Sequence, residues 1–310
     1  TACSSPPSGT GGMDAARANP ASAPSGARFN EEGNILISDQ FNNRVIEVDP
    51  KGNIVWSFGK GPTDFSPQSV IGVNDAQRVG PLTLMAGTGA PPGTEPACPD
   101  PVNGCPDNRV MLVSPSGHVL WQYGQFAVTG SGPDQLNTPV QSTWLPNWHV
   151  LISDQGNQRV IEVTLSKRIV WQYGTTGVAG NGPNQLDNPN SAELLANGHV
   201  LISDENNNRA IEVTREKEIV ATFTARGTVS GVAFASRLAS GHTLITDSNN
   251  SRVVEVDASD AIVWQYVTAQ PGSNPSPLPT RAVRLEDGDT LISDQFNHRV
   301  IRVDQAGGSV

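Results

Sequence analysis

The chain is poor in lysine, cysteine, methionine and aromatic residues, and it has no long apolar run. Among 310 residues there are four lysines, three cysteines and three methionines, and Phe, Trp and Tyr together make up 5%. Thirty acidic against 20 basic side chains give a formal net charge of −10. No basic face is available to neutralise a phosphate backbone, which excludes nucleic acid as a partner. No stretch of about 18 apolar residues exists to cross a membrane as a helix, and no heptads mark a coiled coil. The nucleophile elbow GxSxG, the phosphate loop GxxxxGK and the zinc helix HExxH are all absent, so the chemistries that those motifs carry are excluded with them. What is abundant is punctuation: Gly 31 and Pro 24 ask for many tight turns.

One unit recurs between those turns. It reads SDQFNNRVIEV from Ser38, SDQGNQRVIEV from Ser153, SDENNNRAIEV from Ser203, TDSNNSRVVEV from Thr246 and SDQFNHRVIRV from Ser293, with a degraded copy, DNRVMLV, from Asp107. Its arginine falls at Arg44, Arg109, Arg159, Arg209, Arg252 and Arg299, so the spacing runs from 43 to 65 residues. A period in the forties to fifties built of short Val/Ile-rich runs is that of a four-stranded propeller blade, because each unit is a small sheet that cannot bury its faces alone. The expected fold is all-β, a six-bladed β-propeller of four-stranded antiparallel blades spanning residues 24–310, with a tail over 1–23 and an insertion over 87–106. In the fourth unit the strands are expected near 191–195, 199–203, 209–213 and 219–223, innermost to outermost.

The repeated Asp39, Asp154, Asp204, Asp247 and Asp294 are the first candidates for a site. Two uses are open to them. They ring the channel mouth and hold a hard cation such as calcium, or each builds its own turn by bonding the Asn three residues on and is neutralised by the Arg two beyond. A device repeated five times reads as architecture, since catalysis needs one asymmetric group. His149, His199 and His242 occupy equivalent turn positions; in the first and sixth units Asn34 and Asp289 stand there, so a zinc site is not expected. His118 is a turn residue of an outer hairpin and His298 replaces Asn43 in an otherwise identical loop; neither has a visible partner. Trp56, Trp121, Trp171 and Trp264 recur at one place in the outermost strand and are read as blade packing. Trp144 and Trp148 fall outside the pattern and are the candidate binding patch.

Cys98 and Cys105 lie inside the insertion, where Pro99, Pro101 and Gly104 restrict the backbone, and they are expected to form a disulfide, which argues for an extracellular or cell-surface setting. Cys3 is left odd: free, paired with another chain, or lipidated, since Thr-Ala-Cys resembles the end of a bacterial lipoprotein signal. Asn249-Asn250-Ser251 is the only glycosylation sequence with an allowed middle residue.

The pattern LISDxxNxRVIEVDxxGxIVW, at 36–56 and again at 151–171, resembles the NHL-repeat family of six-bladed β-propellers. The resemblance implies a scaffold and leaves its use open, because the family mixes sensor ectodomains, RNA-binding modules, protein-interaction platforms and a few lyases with a metal in the central channel. The sixth unit stops at Val303-Asp304 followed by QAGGSV, so its outermost strand is expected to be missing or reduced to Ser309 and Val310, leaving an unpaired edge. The donor expected for that edge is the tail, in its own chain or in a neighbour's, and the second case joins molecules head to tail. The function read from these residues is a non-catalytic extracellular interaction or structural propeller that self-associates, as in a surface filament, with no cofactor. The alternatives are a calcium- or zinc-dependent lyase or hydrolase of the channel, and a carbohydrate or peptide receptor.

Overall fold

The computed structural model describes residues 2–4 and 28–308, and over them the chain is all-β apart from single 3-10 turns. Six antiparallel sheets follow one another. The first holds β1 (Ala2–Ser4), β2 (Ile35–Asp39), β3 (Arg44–Val48) and β4 (Ile54–Phe58). The second holds β5 (Val73–Val79), β6 (Leu82–Ala90), β7 (Cys105–Val113) and β8 (Val119–Tyr123). The third holds β9 (Pro139–Trp144), β10 (Val150–Asp154), β11 (Arg159–Val163) and β12 (Ile169–Tyr173). The fourth holds β13 (Pro189–Leu194), β14 (Val200–Asp204), β15 (Arg209–Val213) and β16 (Ile219–Phe223), within two residues of the strands read from sequence. The fifth holds β17 (Val232–Arg237), β18 (Thr243–Asp247), β19 (Arg252–Val256) and β20 (Ile262–Val267), and the sixth β21 (Pro279–Arg284), β22 (Thr290–Asp294) and β23 (Arg299–Val303). This is the blade arrangement of a six-bladed propeller, and each sheet is called a blade below.

The chain divides into two compact units, Thr1–Ile152 with Thr164–Arg168, and Ser153–Val163 with Ile169–Val310. In the first, Leu36, Val45, Trp56, Phe58, Met85 and Met111 form a dry core between the first two blades. In the second, Leu201, Phe223, Val232, Ile245 and Val254 do the same between the fourth and fifth. Second strands such as β14 and β18 are buried along their whole length, which is why they read as continuous apolar runs rather than alternating ones. The fourth strands are edges, and each begins with a bulge: Glu162 pairs with Trp171 but Val163 with Ile169, so Val170 has no partner. Leu120, Val220 and Val263 stand at the same place in their blades. Such a bulge increases local twist and blunts the edge against pairing with other strands.

Among the described residues the sixth blade has three strands, as its shortened repeat implies; the chain turns after β23, with the Asp304 N–H bonded to the Gly308 carbonyl, and Ser309 and Val310 lie outside the described residues. One expectation changes. The first blade takes its first strand from the N-terminus of the same chain, with Ala2, Cys3 and Ser4 opposite Ser38, Ile37 and Leu36. The tail's first residues thus pair with β2 of their own chain rather than with the edge of the sixth blade. The rest of the tail, with its expected boundary at residue 23, lies outside the described residues.

Candidate functional site: the polar clasps between blades

Each Asp of the repeat ends a second strand, a 3-10 turn follows, and the next residue adopts a left-handed conformation that aims its side chain out of the blade. Asn43, Gln158, Asn208, Ser251 and His298 hold this position with φ between 48° and 57°. The turn is locked from within. Asn42, Asn157, Asn207, Asn250 and Asn297 donate to the Asp three residues back, and Arg44, Arg159, Arg209, Arg252 and Arg299 each donate Nε to it at 2.6–2.7 Å. The side chains of Asp154, Asp204, Asp247 and Asp294 are fully buried, so a charge-assisted bond to arginine compensates their lost hydration.

The remaining oxygen reaches the loop that enters the blade. Asp204 Oδ1 accepts the N–H of Asp187 and Asp247 Oδ1 that of Ser230, both at 2.7 Å. The next N–H of the same loop goes to the left-handed residue of the preceding blade: Gly72 to Asn43, Thr138 to Asn108, Asn188 to Gln158 and Gly231 to Asn208, at 2.7–2.9 Å. Two consecutive backbone donors thus tie one blade to the next.

The second blade reaches the same result by other residues. Gly87 stands opposite Arg109, where the other blades have Asp, and a Cβ at Gly87 would fall on the carboxylate of Asp107. Asp107, displaced onto the third strand by the insertion, accepts Nε of Arg109 and the N–H of Ile71. Burial raises the carboxyls of Asp107 and Asp204, opposed by their hydrogen bonds, chiefly that from Arg109 in the first and the Asp187 N–H in the second.

The sixth blade breaks the pattern. The residue that corresponds to Asp187 and Ser230 is Pro277, whose carbonyl accepts from Phe296 as theirs do from Asn206 and Asn249. Proline has no N–H, and Asp294 Oδ1 is buried without a hydrogen-bond partner among the described residues. Pro277→Ser restores the donor that Ser230 supplies. A buried acceptor left unsatisfied costs about 1–3 kcal/mol, more than the roughly 0.4–1 kcal/mol that losing proline's stiffness in the unfolded chain removes. The variant should therefore be more stable in urea unfolding by about 1 kcal/mol; a less stable variant refutes the assignment.

A second polar layer was not foreseen. Glu47, Glu162, Glu212 and Glu255, on the third strands, are buried and receive an arginine from the next blade: Arg78, Arg215, Arg237 and Arg284. These guanidiniums lie 4.5–5.1 Å from the ring centres of Trp56, Trp171, Phe223 and Trp264, so each is held between a carboxylate and an aromatic face. Burial pushes the Glu212 carboxyl up, but hydrogen bonds from His199 and Asn197 and the charge of Arg237 outweigh it and hold the group below its ordinary value. In the sixth blade the signs are exchanged, with Arg302 bonded to Asp287 and Asp289. The signal for this layer was an acid recurring inside the apolar run RVIEV.

His199 and His242 bring Nδ1 to 2.7 Å from Glu212 and Glu255, and His118 lies 2.9 Å from Ser116 Oγ, so His118 does have a partner. Trp56, Trp121, Trp171 and Trp264 donate their indole N–H to carbonyls of the following blade's outer turn, at Pro115, Leu165, Arg215 and Gln305. Cys98 and Cys105 are disulfide-bonded and pack with Ile71, Ala90, Phe65 and Phe126. The hairpin strands extend to Ala90 and resume at Cys105, so the inserted loop proper is 91–104. Asn249 is exposed on its turn. Glu205 accepts from Asn188 and Asn190, with burial raising its carboxyl against those bonds. Among the described residues no group of three or more His, Cys, Asp or Glu is placed to hold a metal ion, and no helix is long and apolar enough to cross a membrane.

The fold defined by these blades is a β-propeller, and solved structures share it. The chain is similar to a streptogramin B lyase (12% identity over 90% of this chain and 79% of that one, TM-score 0.59). It is similar to a protein of unknown function from Bacteroides caccae (12%, 89% and 91%, TM-score 0.60). It is also similar to the WD40 β-propeller domain of Doa1 (9%, 89% and 76%, TM-score 0.58). At these identities the likeness shows the fold alone. No protein-family model matches the chain, and no curated protein matches it by sequence.

Proposed function

We propose that this chain is a non-catalytic, extracytoplasmic interaction propeller of NHL-repeat type, whose copies associate through the N-terminal segment. The observation that carries the reading is the connection into the first blade. β1 ends at Ser4 and β2 begins at Ile35, whereas β13 and β14, or β17 and β18, are joined by five residues. A five-residue turn forces a strand to pair with its own chain. A 30-residue connection does not, and the same strand then serves a neighbour at little extra cost in closure entropy. The disulfide in the inserted loop supports an oxidising setting, the repeated Asp and Arg are engaged with each other inside their own turns, and the repeated Glu is engaged by an arginine of the next blade.

Light scattering on the full chain and on a chain lacking residues 1–23 tests the reading. The full chain is expected to form assemblies larger than a monomer and the shortened one to be monomeric, with its melting temperature recorded to verify folding. Monomers in both cases refute it. A second reading, a lyase or hydrolase dependent on bound calcium or zinc, draws on the fold shared with the streptogramin B lyase; stoichiometric metal in the purified protein would favour it.

A further inference from the structure

Trp148 is not required by the blade that carries it. It sits in the turn between β9 and β10, closed by the Leu145 N–H on the His149 carbonyl and the Trp148 N–H on the Leu145 carbonyl. The corresponding turns carry Gly198, Gly241 and Gly288 at this point, with φ of 85°, 86° and 93°. Trp148 has φ 64°, a conformation that disfavours a bulky side chain. Burial does not offset this, because the residue is 67% exposed.

Trp144 departs from the pattern too. It ends β9 where the second, fifth and sixth blades have Arg78, Arg237 and Arg284, and the preceding blade has Leu112 in place of the glutamate that such an arginine would meet. The two rings meet edge to face, 5.9 Å apart at 78°, and form an uncharged corner. The four tryptophans of the repeat donate their N–H to carbonyls of the following blade, whereas those of Trp144 and Trp148 make no hydrogen bond among the described residues. Paired aromatic rings with unengaged indole donors match a proline-containing extended peptide, whose pyrrolidines pack on the rings and whose carbonyls accept from the indoles.

The chain contains such a peptide. Residues 18–26 read ANPASAPSG, without a charge, and belong to the stretch 5–27 outside the described residues. Twenty-three residues reach about 70 Å at roughly 3.1 Å per residue. We propose that the Trp144–Trp148 corner binds the proline-containing stretch 18–26 of a second copy of this chain. This rests on the N-terminal assembly reading above and names the surface that receives the segment.

Trp148→Gly is the informative variant, because glycine is what the sibling turns use, so folding is preserved and the melting temperature is expected to be unchanged or higher. Light scattering should show at least tenfold weaker association for this variant than for the wild-type chain. A synthetic peptide of residues 18–26 should quench the tryptophan fluorescence of the wild-type chain saturably, and should not do so in Trp148→Gly. Wild-type association in Trp148→Gly, with assembly lost on deletion of 1–23, overturns this inference and leaves the assembly reading standing. Monomers for all three chains overturn both. A fluorescence change with cellohexaose and none with the peptide also overturns it, and identifies the corner as a sugar platform.

Discussion

Asp204→Ala is expected to lower the unfolding free energy by about 3–5 kcal/mol, the range for removing one partner of a buried, hydrogen-bonded ion pair. Three donors converge on this carboxylate: Arg209 Nε at 2.7 Å, Asn207 Nδ2 at 2.8 Å and the Asp187 N–H at 2.7 Å. Alanine leaves the Arg209 Nε–H and the Asp187 N–H without an acceptor at a position closed to water, while Asn207 Nδ2 keeps only the Gly180 carbonyl. The Arg209 side chain, itself only 14% exposed, cannot recover its hydration in place. Asp39→Ala is the internal control. Its pair with Arg44 is partly open, with side-chain exposures of 21% and 35%, so water substitutes for the lost partner and the loss should stay near 1 kcal/mol. Urea unfolding followed by tryptophan fluorescence measures both. Equal losses in the two variants would show that burial does not set the strength of these clasps.

The contrast between those aspartates also marks how far the sequence can be read. The bonds from Asn207 and Arg209 to Asp204 span three and five residues, so the string SDENNNR contains every group involved. The bond from Asp187 spans 17 residues, and that from Asn188 to Gln158 spans 30; both depend on which blade lies beside which. The repeat made the blades legible because one period states the same small sheet six times. Asp107 was hidden because the insertion moved the acid from the second strand to the third, where spacing no longer marks it. The glutamate layer was hidden for a different reason: an acid inside RVIEV reads as the solvent side of an alternating strand, and only the arginine of the next blade makes its burial tolerable. Ala2–Ser4 carries no strand signal, since three small residues beside prolines and glycines gain little from a pleated surface until a ready-made edge is offered.

Gly124→Ala is expected to cost about 3 kcal/mol, as the sum of backbone strain and overpacking. Gly124 follows β8 with φ +92°, outside the region that side chains adopt readily, and its N–H donates to Asp134 Oδ1 at 2.9 Å. A Cβ there would lie 2.1 Å from the Asn108 carbonyl oxygen, well inside contact distance, and against Cα of Arg109, which is backbone on the strand that carries the clasp and has no rotamer by which to yield. Gly59 and Gly174 end the first and third blades with φ of 94° and 95° against the equivalent carbonyls, so the close approach belongs to the blade and not to one loop. Gly117 separates the two contributions. Its φ is +83°, yet nothing lies within 4 Å of its Cβ position, so Gly117→Ala should lose only about 1 kcal/mol, from backbone conformation alone. The difference between the variants in urea unfolding measures the contact itself. If Gly124→Ala were no more damaging than Gly117→Ala, the fourth strand would be able to move away from Asn108, and the left-handed residue at that corner would not hold the blade edge in place.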